Sequence, residues 1–305
     1  YQFFKQWYRL KAYANEQGIS IIGDLPIYTA ADSVEVWAHP ELFELNVLNR
    51  PAEVAGCPPD CFSATGQLWG NPIYCWKQHR VTGYAWWIHR LGYVSKLFDM
   101  VRIDHFRGFE SYYSIPAKKT TAEHGAWMPG PGLELFRAAQ QQLGELNILA
   151  EDLGNITPRV RKLLAETGYP GMKVLQFAFD SGADNEFLPH NYTTPHCVVY
   201  TGTHDNDTLL HWAETLNREP LRFARAYLDV ESRQDMPAAV VRAAWSSIAE
   251  LVIAQMQDFL KAGGEGRMNL PSTLGGNWCY RTKAEQYTEK LQRRIRRLNR
   301  TYGRK

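Results

Sequence analysis

Five runs in this chain share one form: each begins apolar and closes on polar side chains, and helical patterns lie between them. They are ISIIGDLPIY (19–28), KLFDMVRIDHF (96–106), LNILAEDLG (146–154), GMKVLQFAFD (171–180) and HCVVYTGTHDND (196–207). Strands alternating with helices read as βα units around a parallel sheet. Runs that stay apolar along most of their length fit strands buried on both faces. The intervening helices carry their own punctuation. GLELFRAAQQQLGEL (132–146) is one, and TPRVRKLLAETG (157–168) another, with Thr157 as N-cap, Pro158 in the first helical position and Gly168 at the end.

Polar residues gathered at the C-terminal ends of successive strands are what a barrel active site requires. An open doubly wound sheet would also place ligands at strand ends, but normally with a Gly-rich phosphate turn. Neither G-x-G-x-x-G nor a P-loop pattern occurs. The expected fold class is therefore α/β, a (β/α)8 TIM barrel with an inserted subdomain. A sixth strand is expected near GRMNLP (266–271). The chain opens on Tyr1 with YQFFKQWYRLKAYANEQG, which reads as a helix already in progress and stops at Gly18. Residues 1–305 are accordingly expected to form a partial catalytic barrel, its first βα units missing. Residues 29–97 are too long for an ordinary connection and are read as an inserted subdomain or lid that includes a loop at 56–74. The basic end, TEKLQRRIRRLNRTYGRK, reads as an amphipathic helix with Leu291, Ile295 and Leu298 turned inward.

Charge narrows the function classes. A net charge of +2 favours neither nucleic acid nor an anionic membrane as partner. No run of about 18 apolar residues and no signal peptide is visible. Five scattered cysteines argue against a disulfide framework and for a reducing, cytoplasmic setting. Cys57 and Cys61 are spaced C-x-x-x-C with no second ligand pair, and His105, His204 and His211 lack ligand spacing, so no metal or other cofactor is expected. Ten Trp and sixteen Tyr are many for 305 residues. Clefts for sugars or bases use exposed aromatic faces in this way.

Three carboxylates close three different runs: Asp104, Glu151 and Asp205. Any one of them is more readily a helix cap or an ion-pair partner than a catalyst. Together they suggest more. Two carboxyl groups about 5 Å apart equip a retaining glycosidase, one ionised to attack and one protonated to donate. Arg102 projects from the same strand face as Asp104 because side chains alternate with period two. A guanidinium there favours the ionised form and suits Asp104 to the nucleophile role. Glu151, at the end of the apolar NILA, suits a raised pKa and an acid role. If the strand persists, alternation turns His105 to the opposite face.

VRIDHFRG, LAEDLG and TGTHDNDT, with GDLPIY upstream, GCPPDCFSATGQLWGNPIY between and RMNLPSTLGGNW downstream, closely resemble the 4-α-glucanotransferases, also called amylomaltases or disproportionating enzymes. The resemblance runs along essentially the whole chain. It implies a transferase that moves a segment of an α-1,4-glucan to a new 4-hydroxyl acceptor by a retaining double displacement. The partner it implies is a maltodextrin, maltooligosaccharide or starch-type glucan. It also implies roles: Asp104 as nucleophile, Glu151 as general acid/base and Asp205 as the third carboxylate, gripping sugar hydroxyls. Arg102, His204 and Asp24 would line the subsite of the sugar under attack, and Phe177 would lie near the scissile bond. Trp69 and Asp60 would belong to the loop that covers the cleft, with Asn269 and Asn277 at polar positions near the last strand. Cys57 and Cys61 stand where the family tends to place aliphatic, small or aromatic residues. An α-glucan hydrolase using the same residues, and a glucan-binding fragment without catalysis, are the other readings.

Overall fold

Helix α1 (Gln2–Glu16) leads into strand β1 (Ile22–Leu25), with the chain turned at Gly18, whose φ of 73° suits a residue without Cβ. The structure, a computed structural model, describes residues 1–59 and 63–304. It forms two units, Tyr1–Gly171 and Met172–Lys305. In the first, α1 is tied down by its polar side chains. Trp7 Nε1 donates to the carbonyl of Leu97 at 3.0 Å, and Lys11 pairs with Asp99 at 3.2 Å. Short helix α2 (Val34–Ala38) is capped by Ser33, whose hydroxyl accepts from the Val36 amide. Strands β2 (Glu53–Cys57) and β3 (Gln67–Pro72) and helices α3 (Trp76–Val81) and α4 (Ala85–Leu97) follow. Next come β4 (Met100–Ile103), β5 (Ser111–Pro116), β6 (Ala126–Pro129), α5 (Leu133–Leu143), β7 (Ile148–Ala150) and α6 (Pro158–Thr167).

Two sheets result. One is parallel, in the order β1-β4-β7, with Asp24 opposite Arg102 and Arg102 opposite Leu149. The other is antiparallel, in the order β3-β2-β5-β6. Two of its strands come from the stretch expected as an insertion, and two, β5 and β6, lie beyond residue 97. Helix α4, inside that stretch, buries Trp87, Ile88 and Leu91 in the core that also holds Val101, Ile103, Phe106 and Ala150. β7 is buried along its whole length, which explains its unbroken apolar run. Helix α6 starts as its sequence dictates: the Thr157 hydroxyl accepts from the Val160 amide, Pro158 takes the first turn, and Gly168 ends it at φ 70°.

The second unit contains all but the first residue of β8 (Gly171–Val174), then β9 (Cys197–Tyr200), α7 (Leu209–Thr215), α8 (Arg218–Leu228), α9 (Met236–Ser246), β10 (Leu251–Ile253), α10 (Met256–Leu260) and α11 (Glu289–Thr301). Its sheet runs β10-β9-β8, with β9 and β10 parallel. The strand expected at 266–271 does not form. Gly264–Gly266 make a 3-10 turn, and the next residues are held by loop hydrogen bonds, the Asn269 amide to the carbonyl of His204 at 3.0 Å among them. The neighbour of β9 is instead β10, three residues between two helices and too short to stand out as a period-two run. On α11, Leu291 is buried and Ile295 and Leu298 are half-buried, as the amphipathic pattern requires. Among the described residues no helix is long and apolar enough to cross a membrane.

Candidate active site

Asp104 stands one residue past the end of β4, where its amide continues the ladder by donating to the Leu25 carbonyl at 3.0 Å. Arg102, on the same strand face, is buried between two carboxylates. Its Nη1 donates to both oxygens of Asp24, at 2.7 and 2.8 Å, and its Nη2 meets Asp104 Oδ1 at 2.9 Å. Burial alone would weaken the guanidinium's charge, but Asp104, Asp24 and Glu151 more than offset it and hold its pKa above the usual range. The sequence places the three groups together for a simple reason. Residues two apart share a face, and parallel register sets Asp24 opposite Arg102.

Glu151 follows β7 in the same way, its amide donating to the carbonyl of Ile103 at 3.0 Å. Its carboxyl is held by two main-chain amides: His105 N–H reaches Oε2 and Leu153 N–H reaches Oε1, each at 2.7 Å. Burial pushes the carboxyl well above the usual carboxylate range, and the charge of Asp104 adds to this. Arg102 and the two amides only partly oppose them. A carboxyl that keeps its proton towards neutrality, near a carboxylate paired with arginine, is the equipment for donation and attack at one place.

His105 departs from the alternation expected of it. The strand ends at Ile103, and His105 takes a left-handed conformation (φ 52°, ψ 48°) while its amide donates to Glu151. Its ring packs edge-on to Trp69 at 4.8 Å between centroids, and burial lowers its pKa to about 3, so it is neutral. Trp69, on β3, is half-buried, leans against Tyr28 at 6.2 Å and donates from Nε1 to Gln67 Oε1 at 3.1 Å. Arg107, the other cation of that stretch, lies over the ring of Trp127 at 3.6 Å. Asp60 lies outside the described residues.

In the second unit Asp205 and His204 sit in the turn after β9. Asp205 Oδ1 accepts from Asn269 Nδ2 at 2.6 Å, its carbonyl accepts from Arg267 Nη2 at 2.7 Å, and Oδ2 lies 3.6 Å from His204 Nε2. Gly202 lies just before them, tightly surrounded. A Cβ there would fall 2.5 Å from Nε2 of Gln176, which donates to the Asp207 carbonyl at 2.8 Å. Arg267 and Asp207 belong to this cluster, with Asp207 Oδ2 also 2.6 Å from His211 Nδ1. Neither stood out in the sequence, because an irregular loop carries one and the other caps its neighbours. Phe177 packs edge-on to Phe187 at 5.9 Å. Asn277 braces its own loop, accepting from the Leu270 amide at 3.0 Å and donating to Thr273 Oγ1 at 3.1 Å.

Comparison with known proteins meets this geometry from outside. A family model described as 4-alpha-glucanotransferase matches residues 1–287. The 4-alpha-glucanotransferase of Clostridium butyricum is 48% identical over 306 residues, covering 100% of this chain and 63% of its own length. That of Thermus thermophilus is 51% identical, covering 92% of this chain and 57% of its own length. The amylomaltase from Streptococcus agalactiae, solved in complex with acarbose, superposes with a TM-score of 0.96 at 44% identity, covering 99% of this chain and 61% of that one. The chain thus spans about three-fifths of the length of these relatives. The likeness carries the expected fold class, an α/β barrel of the (β/α)8 type. With matches of this extent, the chain belongs to the 4-alpha-glucanotransferase family.

Proposed function

We propose that this chain carries the catalytic machinery of a 4-α-glucanotransferase, transferring a segment of an α-1,4-glucan to the 4-hydroxyl of another glucan with retention of configuration. The observation that carries the reading is the first-unit cluster: Asp104 paired with a buried Arg102, and Glu151 buried beside them on two main-chain amides, its pKa raised by that burial. In the first step a carboxylate oxygen of Asp104 attacks the anomeric carbon. The bond to the departing glucan breaks as Glu151 gives its proton to the glycosidic oxygen. In the second step the Glu151 carboxylate takes the proton of the acceptor 4-hydroxyl, whose oxygen displaces Asp104. Arg102 and Asp24 position the nucleophile through the contacts at 2.7 to 2.9 Å. Asp205, braced by Asn269, grips sugar hydroxyls, and its hold tightens as the ring distorts. His204 donates to sugar, Trp69 stacks on a sugar face, Phe177 lines the cleft near the scissile bond, and Asn277 shapes the neighbouring loop.

Transfer in place of hydrolysis requires that water be kept from the glycosyl-enzyme, a task we give to residues 56–74, within an inserted region at 29–97 of the catalytic barrel 1–305. The substrate is a maltodextrin, maltooligosaccharide or starch-type glucan, in keeping with the acarbose held by the Streptococcus agalactiae amylomaltase. The setting is cytoplasmic, in keeping with the free thiols of Cys75 and Cys279. The test is to incubate the full-length protein with maltotriose. Glucose together with longer maltodextrins is the expected product set. Glucose and maltose alone would make the protein a hydrolase.

A further inference from the structure

Trp278 holds a backbone conformation that its side chain disfavours. Its φ is 61°, in the left-handed region where glycine is at ease and a bulky residue is not. The loop around it needs several such residues: Ser272 at 63°, Gly275 at 80° and Gly276 at 74°. At 275 and 276 the chain uses glycine. At 278 it keeps a tryptophan, and 58% of that residue is exposed, so burial of the indole does not compensate for the strain.

The hydrogen bonds that close the loop are made by other groups than the ring. The Trp278 amide donates to the Met268 carbonyl at 2.7 Å, a bond any residue but proline would make. Asn277 clamps Leu270 and Thr273, and the Thr273 hydroxyl donates to the Leu270 carbonyl at 2.7 Å. These contacts close the loop through main chain and small polar groups. The indole instead faces His204, with ring centroids 5.1 Å apart and planes inclined by 40°. His204 leads directly to Asp205 and its partner Asn269. An exposed aromatic face beside an imidazole, a carboxylate and an amide offers an apolar surface together with donors and acceptors. A sugar ring, apolar on its faces and hydroxylated at its rim, calls for that combination.

We infer that Trp278 is a sugar-stacking residue, its indole packing against a glucose unit whose hydroxyls are held by the His204–Asp205–Asn269 group. The inference deepens the α-glucan reading proposed above and rests on it for the class of ligand.

The experiment uses two variants of the full-length protein, Trp278→Gly and Trp278→Phe, with maltoheptaose binding measured by calorimetry in the Asp104→Asn background. Melting temperatures are recorded alongside. Trp278→Gly is expected to weaken binding roughly 10-fold, and Trp278→Phe by less than about threefold, the scale of one aromatic contact. The melting temperature of Trp278→Gly is expected to hold or rise, because glycine relieves the left-handed strain. Binding by Trp278→Gly within twofold of its parent overturns the inference. So does a fall in its melting temperature, which would make the ring structural. Maltotriose transfer by the protein without substitutions is scored separately. If it fails while maltoheptaose binds and Trp278→Gly weakens that binding, the stacking role stands and the transferase reading falls.

Discussion

Arg102 and Asp24 face each other in register across two parallel strands, and one guanidinium nitrogen reaches both carboxylate oxygens of the aspartate, at 2.7 and 2.8 Å. The other terminal nitrogen is committed to Asp104 at 2.9 Å. The arginine is therefore a bridge. It ties the end of β1 to the residue we assign as nucleophile, and neither contact can move without the other.

Lysine cannot reproduce that bridge, because an ammonium is a point charge without the guanidinium's fixed fork. Arg102→Lys is expected to lower kcat/KM for maltotriose transfer by roughly 100-fold or more, about 3 kcal/mol of transition-state stabilisation. The side chain is buried, so the fold is also expected to lose about 1–3 kcal/mol in denaturant titration. Transfer within fivefold of the parent would show that charge alone, without the fork, positions Asp104.

Asp104→Asn separates attack from binding. Asparagine is nearly isosteric and still accepts from Arg102, so the strand end is expected to keep its geometry. It has no carboxylate to form the glycosyl-enzyme, and turnover is expected to fall by roughly 10⁴-fold or more. Glucan binding should stay within about tenfold of the parent. Surviving turnover would remove Asp104 from the nucleophile role.

How much of this was legible in the sequence depends on how local the cause is. The parallel strands, the capping of α6 by Thr157 and the inward stripe of α11 follow from period and cap chemistry, and all appear where the residues indicate. The sharing of one face by Arg102 and Asp104 follows from alternation. The partnership with Asp24 does not, because it depends on register between strands 78 residues apart in the chain. Glu151 was legible as a buried acid, but its two amide donors, one from the turn at His105 and one from Leu153 in its own loop, lie beyond what a period-two reading can foresee. The strand expected at 266–271 failed for a related reason. Hydrogen bonds local to the loop and to His204 won over a weak apolar pattern, while the three residues of β10 left too short a signal.

Two further buried groups give the fold opposite responses to pH. His79 lies among Tyr74, Trp76 and Trp86, with ring centroids at 5.3, 5.3 and 5.8 Å, and burial lowers its pKa to about 4. An unfolded histidine titrates near 6.5. As pH falls below that value the unfolded chain takes up a proton that the folded chain refuses, so stability drops, and the full loss is reached below about 4. His79→Phe removes the linkage. Whatever its offset at pH 7, its stability relative to the parent is expected to rise by about 2 kcal/mol on going to pH 5. A difference in unfolding free energy that stays flat over that range would mean the histidine is protonated in place.

Asp258 should behave in the reverse sense. Its buried carboxyl accepts from Thr201 Oγ1 and from the Leu209 amide, each at 2.8 Å, and burial raises its pKa to about 6 despite those donors. The unfolded aspartate titrates near 4. Between about 4 and 6 the folded chain keeps a proton that the unfolded chain releases. The stabilising contribution is therefore complete below about 4 and lost as pH rises through 6. Asp258→Asn stays neutral throughout and can still accept at Oδ1, so relative to the parent it should gain on the order of 2–3 kcal/mol between pH 4 and pH 7. Equilibrium unfolding of both proteins across that range measures the difference directly. A variant that loses ground as pH rises would show that the ionised carboxylate, with its two donors, is the form the second unit is built to hold.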